Sequence, residues 1–305
     1  MTNIYDINEV VLEMGSCLVS LFNDEDVEEI YVDSYNNVTF SKSGKLYNHD
    51  ECFDSPEHFA HFCQIAINEH GDFKGVNYVS FTGFSNHRIS IYVPSYNLDH
   101  DKYFMIIRLF RKLKITSEDL ISFNMLSHEQ YLLILSFLEK GKNIIFSGAP
   151  KSGKTTLMRC VLNDFLRNKN IRVGVLEDPK ELFLDYKHGF EIDVNKDKSD
   201  PCDALSFCFR SSPAFLAVGE LLSPKMVYTF VKSLEGGFSG TISTIHAHSA
   251  NLTISRMATL MVDENKKLAK EDLITTLREC IDLVVHIDMD FKTGVRCVDE
   301  ILEIN

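Results

Sequence analysis

No apolar run in this sequence is long enough to cross a bilayer. The longest strongly apolar stretches, such as Tyr131 to Leu138, fall far short of the ~20 residues that a helical span requires. The opening residues MTNIYDINEVVLE contain neither the basic segment nor the apolar stretch of a secretory signal, so the chain is expected to stay in the compartment where it is made. Eight cysteines, at 17, 52, 63, 160, 202, 208, 280 and 297, include no CxxC pair and no zinc-like spacing. Buried thiols in a reducing cytoplasm are expected instead of a disulfide framework or a structural metal. Internal repeats, low-complexity tracts and long linkers are also missing. Basic charge is in deficit. The formal charge is −13, and residues 1–125 hold 9 Lys/Arg against 19 Asp/Glu, leaving 22 against 25 for the remainder. Such a surface repels a phosphate backbone, so no stable nucleic-acid binding is expected. The segment Arg108-Leu-Phe-Arg-Lys-Leu-Lys114 is a local exception, either a basic site or a solvated linker face.

What is present is an ordinary globular composition, 45% apolar and 25% charged over 305 residues, enough for two domains at ~150 residues each. Apolar residues at helical spacing (Ile7, Val10, Val11, Met14, Leu18, Leu21) predict an amphipathic helix over 4–22. Short strands are predicted at Val27 to Ser34, Val38 to Ser41, Tyr78 to Phe81 and Arg88 to Val93. A helix from Ser55-Pro56 to about His70 separates the two pairs, and the apolar run Tyr103 to Phe110 follows them. This is a small α+β unit. Beyond it, Ser117 and Ser127 read as helix starts, the second close to a capping box. The buried runs Asn143–Ser147, Val173–Glu177, Phe215–Gly219, Thr241–Ile245 and Leu283–Ile287, the last expected to be the final strand, alternate with helical stretches. That pattern predicts an α/β domain with a parallel sheet covered on both faces. The expected division is an N-terminal α+β domain over 1–115, a linker over 116–125 and an α/β domain over 126–305.

The segment Gly148-Ala149-Pro150-Lys151-Ser152-Gly153-Lys154-Thr155-Thr156 fits GxxxxGK[ST] between a predicted strand and a predicted helix. Glycines in such a loop let backbone N–H groups turn toward phosphates, and the new helix adds its positive end. Lys154 is expected on the β- and γ-phosphates of ATP and the Thr155 hydroxyl on Mg²⁺. Hydrolysis further requires a carboxylate that orients or deprotonates water. Two strand ends offer one, Glu220 after Phe215–Gly219 and Glu177-Asp178 after Val173–Leu176. His246 and His248 suggest a metal pair, but no third ligand is near in sequence, and a polar sensor of the γ-phosphate suits the position better.

The ordered set GAPKSGKTT, LEDPKEL (176–182), FRSSPAFLAVGELL (209–222) and GGFSGTISTIHAHSA (236–250) resembles the Walker A, Asp box, Walker B and His box of the type II/type IV secretion ATPase superfamily. DVEEIYVDSYNNVTFSKSGKL, NHRISIYVPS and FMIIRLF resemble the N-terminal domain of its type IV branch, so the similarity runs through nearly the whole chain. The resemblance implies a RecA-like P-loop domain, a homohexameric ring, and ATP hydrolysis that powers substrate passage or apparatus assembly. It also implies inner-membrane partners and a cytoplasmic position at the inner membrane. Carried onto this sequence, it makes Glu220 the catalytic carboxylate, places Glu177 and Asp178 near the magnesium and attacking water, and makes His246 the His-box residue. Arg88 and Arg108 would reach the nucleotide from the N-terminal domain, and Arg210 would lie near a subunit interface. Ser212 and Ala214 stand where the family carries an arginine and an aspartate, Leu222 where it carries an arginine, and Gly237-Phe238 where it has Gly-His. Three alternatives remain: the pilus or type II branch, a weakly hydrolysing nucleotide-sensing ring subunit, and a RecA-like DNA motor, which the acidic balance disfavours.

Overall fold

The computed structural model describes residues 15–42, 44–70, 78–83, 87–93, 103–109, 115–178, 180–194, 199–290 and 292–304. The chain forms two compact units, Met1–Arg111 and Lys112–Asn305.

In the first unit, a 3₁₀ turn at Ser16–Leu18 leads into α1 (Val19–Asn23); the earlier part of the helix expected over 4–22 lies outside the described residues. Six antiparallel strands follow: β1 (Val27–Ser34), β2 (Asn37–Lys42), β3 (Lys45–Asn48), β4 (Tyr78–Gly83), β5 (His87–Tyr92) and β6 (Phe104–Arg108), in the order β3-β2-β1-β6-β5-β4. Helix α2 (Pro56–His70) crosses between β3 and β4 in sequence. Alternate residues Ile30, Val32, Ile89, Ile91, Met105 and Ile107 share one core with Phe59, Phe62 and Cys63 of α2. The period-2 alternation of a half-buried strand therefore sends these side chains to a single face.

The second unit opens on α3 (Ser117–Ser122) and α4 (His128–Glu139), each begun by a capping box. Ser127 Oγ accepts from Gln130 N at 3.1 Å, and Gln130 Oε1 accepts from Ser127 N at 2.8 Å. Helix α3 is capped one residue earlier than Ser117, by Thr116 with Asp119. Most of the stretch expected as a linker, 116–125, is thus ordered structure of this unit, and Leu120 and Met125 are buried in its core. The element order then runs β7 (Ile144–Gly148), α5 (Lys154–Leu166), β8 (Arg172–Glu177), β9 (His188–Asp193), α6 (Pro201–Arg210), β10 (Phe215–Val218) and α7 (Pro224–Glu235). It ends with β11 (Thr241–Ile245), α8 (Ala250–Glu264), α9 (Lys270–Cys280), β12 (Leu283–Met289) and β13 (Arg296–Glu303).

The sheet order is β13-β12-β7-β11-β10-β8-β9, parallel throughout except for β13 against β12. Leu283–Ile287 is therefore not the final strand. Ile144 and Phe146 face a core shared with α3, α4 and α5, whereas Ile145 faces the core shared with α6 to α9. Both faces of the sheet are covered, giving the doubly wound arrangement expected of a RecA-like domain. Across the bottom of three strands, Asn143 Oδ1 accepts from Thr241 N at 3.1 Å and Thr241 Oγ1 at 2.9 Å, while its Nδ2 donates to Cys280 O at 2.9 Å. Among the described residues no helix is long and apolar enough to cross a membrane.

Candidate functional site

Strand β7 is buried at all five positions and delivers the chain to the loop between Gly148 and Lys154. Gly148 sits at φ 152°, where a Cβ would collide with the Ile287 carbonyl oxygen of β12 and stand 2.7 Å from Ser152 Oγ. Only glycine fits there. The loop turns through Lys151 at φ 62° and Gly153 at φ 97°, and α5 starts at Lys154. Ala149, Pro150 and Lys151 are exposed, Ser152 and Lys154 are buried, and Thr155 and Thr156 are half-buried in the first helical turn. Lys154 is 6% exposed. Its Nζ donates to Ala149 O at 2.8 Å and Gly148 O at 3.2 Å, and lies 3.1 Å from His246 Nδ1. A positive charge and the positive end of a 13-residue helix thus meet at one loop.

The acidic groups arrive on the carboxyl ends of neighbouring parallel strands, where open α/β sheets place their ligand sites. Glu177 ends β8, Glu220 follows β10 by two residues, and His246 follows β11. Gly219 N donates to Leu176 O at 2.8 Å, Leu221 N to Thr244 O at 2.9 Å, and Thr244 Oγ1 to Gly219 O at 2.8 Å. These bonds extend the ladder past the last formal strand residues. Thr155, Glu177, Asp178, Glu181 and Glu220 line one cleft, with Leu222 in its apolar lining.

Glu177 is 3% exposed. Its Oε1 accepts from Glu181 N and Leu182 N, both at 2.8 Å, whereas Oε2 is buried without a partner. Burial pushes this carboxyl up to about 8, against the opposing pull of the two backbone hydrogen bonds. His246 Nε2 lies 2.8 Å from Glu220 Oε1. That hydrogen bond raises the imidazole above its ordinary value, with burial and the Lys154 charge acting in the opposite sense. With Nε2–H donating to Glu220, a neutral His246 accepts from Lys154 at Nδ1. A protonated His246 instead donates to Gly148 O, 3.2 Å away. One imidazole therefore links the loop lysine to the strand-end carboxylate.

The second unit brings together Lys154, Thr155, Glu177, Asp178, Glu220 and His246. Arg210 is exposed at the end of α6 and does not line the cleft. In the first unit, Arg88 and Arg108 are direct cross-strand neighbours on β5 and β6, and Arg108 Nε lies 4.0 Å from Glu29 Oε1 on β1. His248 is exposed, and no group of three or more His, Cys, Asp or Glu is placed to hold a metal among the described residues. Phe238, where the family has histidine, stands edge-on to Phe209 at 4.9 Å and packs against the core. Sequence reasoning did not single out Thr244 or Glu181. The first acts through a backbone carbonyl and the second through its own N–H, and neither leaves a signal in residue type. It also missed His286, which is buried on β12 with Nδ1 3.0 Å from Ser147 Oγ; burial lowers its proton affinity.

This donor set fits a magnesium nucleotide. Ser152 Oγ and Glu177 Oε2 are buried and unpartnered, and a hydroxyl and four carboxyl groups share the adjoining cleft. Hard oxygen donors of that kind suit Mg²⁺, which binds through few protein groups and takes further oxygens from phosphates and water.

Comparison with known proteins agrees with the geometry. "Conjugal transfer protein TrbB" of Rhizobium radiobacter is 26% identical over 191 residues, 62% of this chain and 57% of that protein. "Type IV secretion system protein VirB11" of Brucella suis is 30% identical over 207 residues, 61% of this chain and 55% of that one. The chain thus spans a little over half the length of these curated relatives. The fold matches that of the Legionella pneumophila ATPase DotB with a TM-score of 0.67 at 14% identity, covering 94% of this chain and 80% of that one. The family model described as "Type II/IV secretion system protein" matches residues 88–294, more than half of the sequence, and the chain belongs to that family.

Proposed function

We propose that the chain binds MgATP at the loop 148–156 and hydrolyses it, working as a homohexameric traffic ATPase that powers substrate translocation or apparatus assembly in a type IV secretion system. The observation that carries this reading is the connection from Lys154 through His246 to Glu220 at the mouth of a phosphate loop. In this reading Lys154 binds the β- and γ-phosphates, and the loop amides and the α5 N-terminus add to the positive field. Thr155 would hold Mg²⁺, with Glu177 and Asp178 as the neighbouring acidic groups, and the cation would neutralise charge on the phosphate oxygens. Glu220 takes the proton of the attacking water, and His246, hydrogen-bonded to it, orients that carboxylate and senses the loop. Partnership with inner-membrane components and a cytoplasmic position at that membrane belong to the same reading, which the relatives' description as type IV secretion system proteins supports.

A second reading, a slowly hydrolysing sensor in a ring, draws on Leu222, an apolar residue in the cleft lining where the resemblance calls for an arginine. Turnover measured on wild type and Lys154→Ala tests the main proposal. Removing one such electrostatic contact costs about 10²–10³ in rate, so the variant should be nearly inactive while keeping the far-UV circular dichroism spectrum of the folded protein. Wild-type turnover in Lys154→Ala would exclude the loop as the working site.

A further inference from the structure

The tip of the phosphate loop runs against the conformational preference of its own residue. Ser152 N donates to Ala149 O at 3.3 Å and closes a turn over 149–152. Pro150 takes the second position, where its fixed φ is already correct. Lys151 takes the third, at φ 62°. Proline followed by a positive φ is the pattern of a type II turn, whose third position selects glycine or asparagine because a Cβ there crowds the backbone. Lysine has neither the freedom of glycine nor the short polar side chain with which asparagine settles in the left-handed region. Glycine would make the same turn at a lower conformational cost. The backbone therefore gives no reason for a lysine at 151, which leaves the side chain to supply one.

The charges around the loop indicate what it supplies. Lys154 is buried, and its ammonium already meets Gly148 O, Ala149 O and His246 Nδ1. The adjoining cleft is lined by Glu177, Asp178, Glu181 and Glu220, and no lysine or arginine is among its lining residues. A triphosphate seated there would set its own negative charge against those carboxyl groups. Lys151 is exposed at the apex of the same loop, and its four-carbon stem gives the ammonium reach. Phosphoryl transfer gains from a cation on the phosphate oxygens while the terminal P–O bond breaks, and the chain that binds the nucleotide can supply that cation itself. We infer that Lys151 is a second phosphate-contacting cation of the loop, meeting the terminal phosphates of the bound nucleotide as hydrolysis proceeds. Water oxygen bonds to the γ-phosphorus, the bond to the β–γ bridging oxygen breaks, and the charge left on ADP is what Lys151 neutralises. This inference rests on the hydrolysis reading above.

The test measures steady-state ATP turnover, and urea unfolding by far-UV circular dichroism, on the full-length wild type, Lys151→Gly and Lys151→Arg. Glycine removes the charge and suits φ 62°, so Lys151→Gly should unfold at the same urea concentration as wild type or a higher one. Its kcat and kcat/KM should nevertheless fall together by about 10²-fold, the signature of a contact made only in the transition state. Arginine returns the charge at the same conformational cost and should bring turnover back to within about tenfold of wild type. Unchanged kcat in Lys151→Gly, with turnover still abolished by Lys154→Ala, would overturn the inference and leave the ATPase reading standing; Lys151 would then be a solvated surface lysine. A rise in KM alone, a loss of stability in Lys151→Gly, or no recovery with arginine would overturn it as well. A wild type without turnover would remove the hydrolysis reading and this inference together.

Discussion

Glu177→Gln should make the second unit more stable, by an amount that grows with pH. In the native protein this carboxyl is pushed from 4.5 up to about 8 by burial. Between those values the unfolded chain has released the proton and the folded chain still holds it. The folded state therefore binds more protons, and stability falls as pH rises, at ~1.4 kcal/mol per pH unit. The cost is absent below about pH 4.5, reaches about 3 kcal/mol at pH 7 and levels off near 5 kcal/mol above pH 8. Glutamine is the appropriate replacement. Its carbonyl oxygen can accept from Glu181 N and Leu182 N as Oε1 does, and its NH₂ takes the place of an oxygen that has no partner anyway. The chain has no tryptophan, so far-UV circular dichroism is the probe, with urea titrations of both proteins at pH 5 to 9 in EDTA and without nucleotide. Other titrations cancel in the difference between the two proteins. A stability difference that stays flat from pH 5 to 8.5 would mean that Glu177 is ionised throughout, and the argument from burial would fail.

Three further outcomes are expected. Glu220→Gln should retain ATP binding and lose about 10²–10⁴ in turnover, because the amide keeps the shape and lacks a basic oxygen. Asp178→Asn should cost only about tenfold, as for a group that orients others; equal losses in single-turnover assays would mean that the primary carboxylate is misassigned. Asn143→Ala should destabilise the second unit by about 3 kcal/mol, since it strands the buried Thr241 N–H and hydroxyl and the Cys280 carbonyl; a loss under 1 kcal/mol in urea unfolding would show that water replaces the side chain.

The central strands were legible in the sequence because burial on both faces leaves continuous apolar runs: IIFS before the loop, VGVL before Glu177 and FLAV before Gly219. Of the edge strands, only β4 was. β3 (KLYN) is exposed at every position, β9 (HGFEID) buries only its last residue, and β13 (RCVDEILE) is at most half-buried at seven of its eight positions. With one neighbour and partial cover, an edge strand needs no apolar signature. The first residues of the second unit were read both as a helix start at Ser117 and as part of a linker; the helix forms, six residues long, with Leu120 buried. At the candidate site, the side chains gathered at the phosphate loop and the carboxyl ends of the strands could be picked out from spacing and resemblance. Those that contribute through position could not: Glu181 contributes a backbone donor, and Thr244 holds a neighbouring carbonyl.

The hydrogen bonds that cross between strand tips have a mechanical consequence. Gly219 is tied to Leu176, Leu221 to Thr244, and Thr244 back to Gly219, so the backbones carrying Glu177, Glu220 and His246 are cross-braced immediately beside those side chains. If nucleotide binds as proposed, a load applied at its phosphates would meet a stiff plate there, and sliding β10 past β11 would break at least two bonds at once. The chain leaves the brace from Glu220 into α7 and from His246 into α8, whose N-terminal caps, Ser223 and Ser249, lie within three residues of those two side chains. The sheet is the anvil, and these two helices are the levers through which work would leave it.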